Sequence, residues 1–382
     1  MKKGRLISGG LFVLVAVGFS TMAVAADSLP IGVFDSGIGG LTVLEKLMAH
    51  PGLRGERYTY LGDQANMPYG NYAAAGRSAY LRELAIKDAL FLISDGYFTD
   101  SAAESPRGAK DPAKIVVIAC NTATAYGRDA ADAVFKCAGA RQRVIGVINA
   151  GVRSMLRQVG AVRATGPIAV GVLATPGTIA SGAYPRTIER ECASQGIKAS
   201  VSVFSQGCPG LADAIELGTA DADRIASDSL RSLVAQHRKS GAAAPLKAVI
   251  LGCTHYPFLM STLERTRTEL GLDFVFVDPA VDTAEECYRA LRKEGRLAEC
   301  GSDAMRVDVF VSVPSAALPA ECRAADGTLA RDYKYGRDAG KDEVTTKFVP
   351  LANGTVDPNS LSRLVKLLPL TRAALQKSGD LK

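Results

Sequence analysis

Eight short apolar runs, separated by stretches with helical spacing, decide which class of fold is open to this chain. They read IGVF (31–34), YTYL (58–61), IVVIA (115–119), RVIGVI (143–148), IAVGVL (168–173), SVSVF (200–204), AVIL (248–251) and FVFV (274–277). Apolar periodicity between them predicts helices over 40–49, 76–94, 122–137, 149–159, 178–195, 210–217, 222–239 and 257–270. Strands alternating with helices imply an α/β fold with doubly wound, largely parallel sheets. The unbroken Val/Ile runs fit strands covered on both faces. The polar segment TDSAAESPRGAKDPA (99–113), with its Pro and Gly, reads as a surface loop.

The pattern also repeats. GVFDSGIGG (32–40) is echoed by GVLATPGT (171–178), and VVIAC (116–120) by VILGC (249–253). Two copies of one α/β unit, each ending a strand in a cysteine, form pseudo-symmetric domains. Ligands collect at the carboxyl ends of strands in such sheets. Two facing edges then make a central cleft with Cys120 on one wall and Cys253 on the other.

A chain of 382 residues has room for two such domains. The absence of Trp and an aromatic content of 6% argue against stacking platforms for single-stranded nucleic acid. Of the net charge of +6, three units sit on Lys2, Lys3 and Arg5, and the remainder is too weak and mixed to imply a nucleic-acid partner. Those three cations head a leader: MKKGR, then the apolar LISGGLFVLVAVGF, then Ala23-Val24-Ala25 as a small-x-small cleavage site. Residues 1–25 are therefore expected to be a signal peptide, cleaved near Ala25 or Ala26, with the mature protein periplasmic or secreted. An uncleaved membrane anchor is the alternative.

A cysteine between a strand end and a helix start is expected to have its thiolate favoured by backbone N–H groups and the helix dipole. The residues that follow, Asn121-Thr122 and Thr254-His255, offer donors to a carboxylate, and Asp35 offers an acceptor to an ammonium group. The set suits an amino acid held between two thiols. One thiolate removes the α-proton and the opposite thiol returns one from the other face, with no metal or organic cofactor. The two groups must then hold opposite protonation states at once.

FDSGIGGLTVL (34–44), GDQANMPYGN (62–71), ACNTATA (119–125), CPGLADAIELG (208–218) and LGCTHYPFL (251–259) resemble, in the same order, the motifs of the glutamate racemase family. The resemblance spans residues 31–290. It implies a cofactor-independent enzyme that interconverts L- and D-glutamate for peptidoglycan. It makes Cys120 and Cys253 the paired acid/base thiols, with Asp35, Glu216 and His255 as supporting polar groups. Asp35, Ser36, Tyr69, Gly70, Asn121, Thr122, Thr254 and His255 match its substrate-contacting positions. Thr175, in the echoing turn, joins them as a candidate contact. The related aspartate racemases usually carry an acid in place of His255 and lack the DSG turn, which favours glutamate as substrate.

The same resemblance implies a discontinuous first domain (27–143 plus 275–300) around a second (144–274), followed by an extension of unknown role (301–382). The expected partner is a small acidic amino acid, with no nucleic acid, a membrane only if the leader is retained, and a homodimer as an option. The leader, the 99–113 segment and the residues after 300 depart from the family pattern. In an oxidising compartment, Cys300 and Cys322 are the expected disulfide pair.

Each residue also has a plainer reading. The cysteines are candidates for small buried hydrophobes, Asp35 for a helix N-cap, His255 for a satisfied core histidine and Glu216 for a solvated helix face. Tyr69 and Gly70, after Pro68, read as an ordinary turn. The glycines of DSGIGG only partly match a dinucleotide fingerprint, since Thr42 stands at its last position. Cys120, Cys253, His255 and Asp35 are types that compose zinc sites, without the usual ligand spacing. A binding protein for an acidic amino acid, or an aspartate or broader acidic amino-acid racemase, completes the alternatives.

Overall fold

The computed structural model describes residues 28–381 except 165, 242–243, 300, 302–303, 342–343 and 352–355. The expected signal peptide, and the Cys300 half of the expected disulfide, lie outside the described residues.

In chain order the strands are β1 (Ile31–Asp35), β2 (Tyr58–Gly62), β3 (Gly96–Tyr97), β4 (Gly108–Ala109), β5 (Ile115–Ile118), β6 (Arg143–Gly146), β7 (Ile168–Ala174), β8 (Val201–Gly207), β9 (Leu246–Gly252), β10 (Val275–Val277), β11 (Val307–Pro314) and β12 (Thr346–Pro350). One sheet runs β12-β11-β2-β1-β5-β6 and the other β10-β9-β7-β8. Pairing is parallel throughout both sheets, except that β12 lies antiparallel on β11. The order β2-β1-β5-β6 is reproduced by β8-β7-β9-β10. The echo in sequence is thus a repeat in space. Strands β5 and β9 occupy equivalent places, beside β1 and β7 respectively, with Cys120 just beyond the end of β5 and Cys253 directly after β9.

Strands β1, β2, β5 and β7 are buried along their whole length, as their continuous apolar composition requires. Strand β8 is half-buried instead, because it forms the edge of the second sheet. The 99–113 segment is loop except for β4, which folds back on β3 as a two-stranded ribbon.

Several expected boundaries shift for identifiable reasons. Val147 and Ile148 open the helix Val147–Gln158, and are apolar because they sit on its buried face. The helix expected over 178–195 is two helices, Pro176–Ala180 and Ala183–Ser194, divided at Gly182 in the left-handed conformation (φ 63°). The second sheet extends past 274, because β10 pairs in register with β9, Val275 against Ala248. The chain returns to the first sheet only after β10. The segment after 300 is not an appendage either: β11 lies in register against β2, with Val307 opposite Tyr58, and β12 closes the edge. Its apolar VFV run takes a place in the sheet that would otherwise leave β2 as an open edge. Among the described residues, no helix is long and apolar enough to cross a membrane.

Candidate active site

Strand β5 ends at Ile118, and two residues later Cys120 caps the helix Asn121–Cys137. Its Sγ accepts the Ala123 N–H at 3.4 Å and its thiol donates to Ser36 Oγ at 3.7 Å. The helix start does not win the electrostatic contest here. Burial pushes the Cys120 thiol well above its ordinary range, the nearby Asp35 charge pushes in the same direction, and the Ala123 and Ser36 hydrogen bonds oppose them less strongly. At rest Cys120 is a neutral thiol, contrary to the expectation from its position.

The second thiol has a different setting. After β9 ends at Gly252 the chain makes a turn and then a short 3-10 helix, Tyr256–Leu259, so Cys253 caps no α-helix. Its partner is a side chain: Cys253 Sγ lies 3.7 Å from His255 Nδ1. His255 Nε2 in turn lies 2.7 Å from Glu216 Oε2, and Gln64 Nε2 donates to Glu216 Oε1 at 2.6 Å. Burial alone would lower the pKa of His255, but the hydrogen bonds to Cys253 and Glu216, together with their charges, lift it well above the usual histidine range. An imidazolium therefore stands beside the Cys253 sulfur. Glu216 is buried, so the solvated-face reading of it fails.

The glycines of the DSGIGG turn are explained by close approach rather than by a nucleotide. A Cβ on Gly39 would stand 2.3 Å from His255 Cε1, and one on Gly40 2.4 Å from the Asp35 Cβ. Asp35 accepts the N–H groups of Gly37 (3.3 Å) and Gly40 (3.0 Å), and Gly40 is the cap of the helix Leu41–Ala49. Asp35 thus braces the turn while also lining the cavity. Burial raises its carboxyl from 3.8 to about 6, against the pull of His255 and the two backbone donors.

A narrow cavity lies where the two sheets' carboxyl edges meet. Cys120 and Cys253 both line it, as do Asp35, Ser36, Tyr69, Gly70, Asn121, Thr122, Thr175, Thr254 and His255. Glu216 stands behind His255, outside the lining. The cavity measures about 20 Å³, room for about one water molecule.

Local contacts define what each wall offers. Asn121 Oδ1 accepts the Tyr184 hydroxyl at 2.6 Å, which fixes the amide so that its nitrogen side is the donor. Thr122, Thr175 and Thr178 join their hydroxyls at 2.9–3.0 Å across the domain junction. Thr175 also caps the helix Pro176–Ala180. The Tyr69 hydroxyl is committed to Asp63 and to Asp88 (2.6 Å), so this residue offers the cavity its backbone and ring rather than its OH. Gly70 packs so closely on the second lobe that a Cβ there would stand 3.3 Å from the Thr175 side chain. Among the described residues, no three His, Cys, Asp or Glu side chains cluster as a metal site, and both ring nitrogens of His255 are engaged.

Sequence reasoning overlooked Gln64, Thr178, Met67 and Ala212. Gln64 anchors Glu216 from the first lobe, Thr178 completes the threonine cluster, and Met67 and Ala212 line the cavity. All four lie inside stretches already singled out by motif or echo. Their roles depend on contacts across lobes that residue spacing does not encode.

Comparison with known proteins agrees with this geometry. Residues 98–287 match the family model described as Asp/Glu/Hydantoin racemase. A glutamate racemase of Limosilactobacillus fermentum is 34% identical over 67% of this chain and 78% of its own length. One of Geobacter metallireducens is 32% identical over 82% of this chain and 98% of its own. Among solved structures, glutamate racemase of Francisella tularensis in complex with D-glutamate aligns with a TM-score of 0.53 at 30% identity, covering 74% of this chain and 88% of that one. A glutamate racemase isoform of Bacillus anthracis aligns at 0.52 and 28%, covering 72% and 85%. With two thiols converging on one cavity between repeated sheets and relatives matched over most of their length, this chain belongs to the glutamate racemase family.

Proposed function

We propose that this protein interconverts L- and D-glutamate by passing protons through two opposed sulfurs. The observation that carries the reading is that Cys120 and Cys253, from equivalent places in two repeated sheets, line the same cavity. Their unequal surroundings support the opposite protonation states that the chemistry needs. Burial keeps Cys120 as the thiol, while the His255 ring, held by Glu216 and favouring its protonated form, stands 3.7 Å from the Cys253 sulfur.

From this state Cys253 takes the α-proton. The electron pair of the broken C–H bond stays on the α-carbon and spreads into the substrate carboxylate. Cys120 delivers its proton to the other face of that carbon and is left as the thiolate, so the product is the opposite enantiomer. The reverse direction exchanges the two roles. Ser36, Asn121, Thr122, Thr175 and Thr254, which line the cavity, offer donors to the carboxylates, and Asp35 offers an acceptor to the ammonium group. The narrowness of the cavity between the two lobes suits a site that opens to admit substrate and closes to exclude water.

The leader at residues 1–25 supports export, with the same chemistry running in the periplasm or outside the cell. Supply of D-glutamate to peptidoglycan is the role that family membership suggests.

The test is to follow L- and D-glutamate, and L- and D-aspartate, by circular dichroism with purified protein and no added cofactor. Loss of signal from both glutamate enantiomers supports the reading. Turnover confined to aspartate, or none, overturns it.

A further inference from the structure

The segment after residue 300 reaches the site from behind. Strand β11 ties it to β2, and Glu45 of the first lobe accepts the N–H groups of Leu370 (3.1 Å) and Thr371 (2.8 Å). On that base stands the helix Pro358–Val365, capped by Asp357 at the Ser360 N–H (2.9 Å). It presents Arg363 to the second lobe. Arg363 Nη2 donates to the carbonyls of Ile215 (3.4 Å) and Glu216, in the last turn of the helix Leu211–Leu217.

Carbonyls at a helix C-terminus have no partner within the helix and carry partial negative charge, so a guanidinium is well matched to them. The helix ends at Gly218 (φ 68°), where a Cβ would stand 2.4 Å from the guanidinium carbon, so the arginine occupies the space that a side chain would take. The residue whose carbonyl is gripped is the one whose carboxylate holds His255. That carboxylate also takes Gln64 from the first lobe.

We infer that Arg363 is a positioning residue: by fixing the backbone of Glu216 it keeps the carboxylate on His255, and it ties the Cys253 side of the site to the first lobe. This rests on the racemase reading for its catalytic consequence, though not for the contact itself. The C-terminal segment then acts as a strap spanning both lobes, and the geometry of the His255–Glu216 pair depends on it.

The chain has three histidines, His50, His237 and His255, so their ring signals can be followed separately by NMR in histidine-labelled full-length protein. In Arg363→Ala, His255 is expected to titrate about one pH unit lower, with His50 and His237 unmoved. Arg363→Met, which keeps the aliphatic stem and loses the donors, carries the same expectation and decides the matter if the alanine variant fails to fold. In parallel, Arg363→Ala is expected to lower kcat/KM for glutamate about ten-fold, and less than about two-fold in a Glu216→Gln background, because the arginine acts through that carboxylate. A folded variant with unshifted His255, or an equal loss in both backgrounds, overturns the inference. Absence of glutamate turnover in the unaltered protein would overturn the racemase reading and leave the titration result standing.

Discussion

Glu216 and His255 are joined at 2.7 Å in the protein interior, from two different stretches of the second lobe, and the far nitrogen of the same ring faces Cys253. A carboxylate, an imidazole and a sulfur in series form a path along which charge on one end stabilises charge on the other. On the opposite wall, among the described residues, Cys120 hydrogen-bonds to a backbone N–H and the Ser36 hydroxyl rather than to such a series. The two thiols of a nearly symmetric fold therefore have unequal surroundings, and the proposed mechanism draws on that inequality.

Replacing Glu216 by Gln keeps the shape and removes the charge. His255 would then lose its proton at lower pH, and with it the donor beside Cys253. The alkaline limb of kcat/KM against pH is expected to move to lower pH, with a loss of about ten-fold or more at the optimum. An unchanged profile would show that the pair has no part in turnover.

Cys120→Ala and Cys253→Ala are each expected to reduce turnover by about a thousand-fold or more, because proton transfer at one face of the carbon is lost in either variant. Thermal unfolding should shift by only a few degrees, since a small buried side chain replaces another. Activity retained in either variant would remove that sulfur from the mechanism.

Gly39→Ala tests the packing of the DSGIGG turn on the histidine. The added methyl would stand 2.3 Å from the ring, so either turn or ring must move, at a cost of about 1–3 kcal/mol. A lower Tm and a fall in kcat are expected together. A variant as stable and active as the parent would show that the turn yields freely.

Asp35 makes stability depend on pH in an uncommon direction for a carboxylate. Below 3.8 it is neutral in both states and costs nothing; from there to about 6 the unfolded chain ionises first, so folding loses stability as pH rises. Above about 6 the cost stays constant, on the order of 3 kcal/mol. Asp35→Asn is therefore expected to gain stability over the parent as pH rises from 4 to 7, with little difference at pH 4, by urea unfolding across that range. A constant difference would contradict the buried-carboxylate account.

Much of this arrangement was legible before folding was considered. Continuous Val/Ile runs marked the buried strands, and the echo of VVIAC in VILGC placed both thiols at matching strand ends, because a repeated sequence pattern encodes a repeated local structure. What failed was electrostatic. Position at a strand end suggested two similar, acidic thiols, but burial outweighs the helix start at Cys120, and no helix starts at Cys253. Local sequence shows which residues adjoin a cysteine and not how much water reaches it. Gln64, Thr178 and Arg363 were missed for a related reason, since each acts across lobes or from a distant segment. The joining of β11 to β2 was equally hidden, because parallel neighbours nearly 250 residues apart leave no periodic trace.

The paired-sulfur claim is tested most directly by the fate of the α-hydrogen. L-Glutamate and D-glutamate would each be converted in deuterium oxide, and both enantiomers recovered at low conversion for mass analysis. With separate sulfurs on the two faces, deuterium is expected at the α-carbon of the product enantiomer, while the recovered substrate keeps its protium, in both directions. Substantial transfer of the original α-hydrogen into product, or deuterium in recovered substrate at the same rate as in product, would mean that a single group serves both faces, and would contradict a mechanism built on two opposed sulfurs.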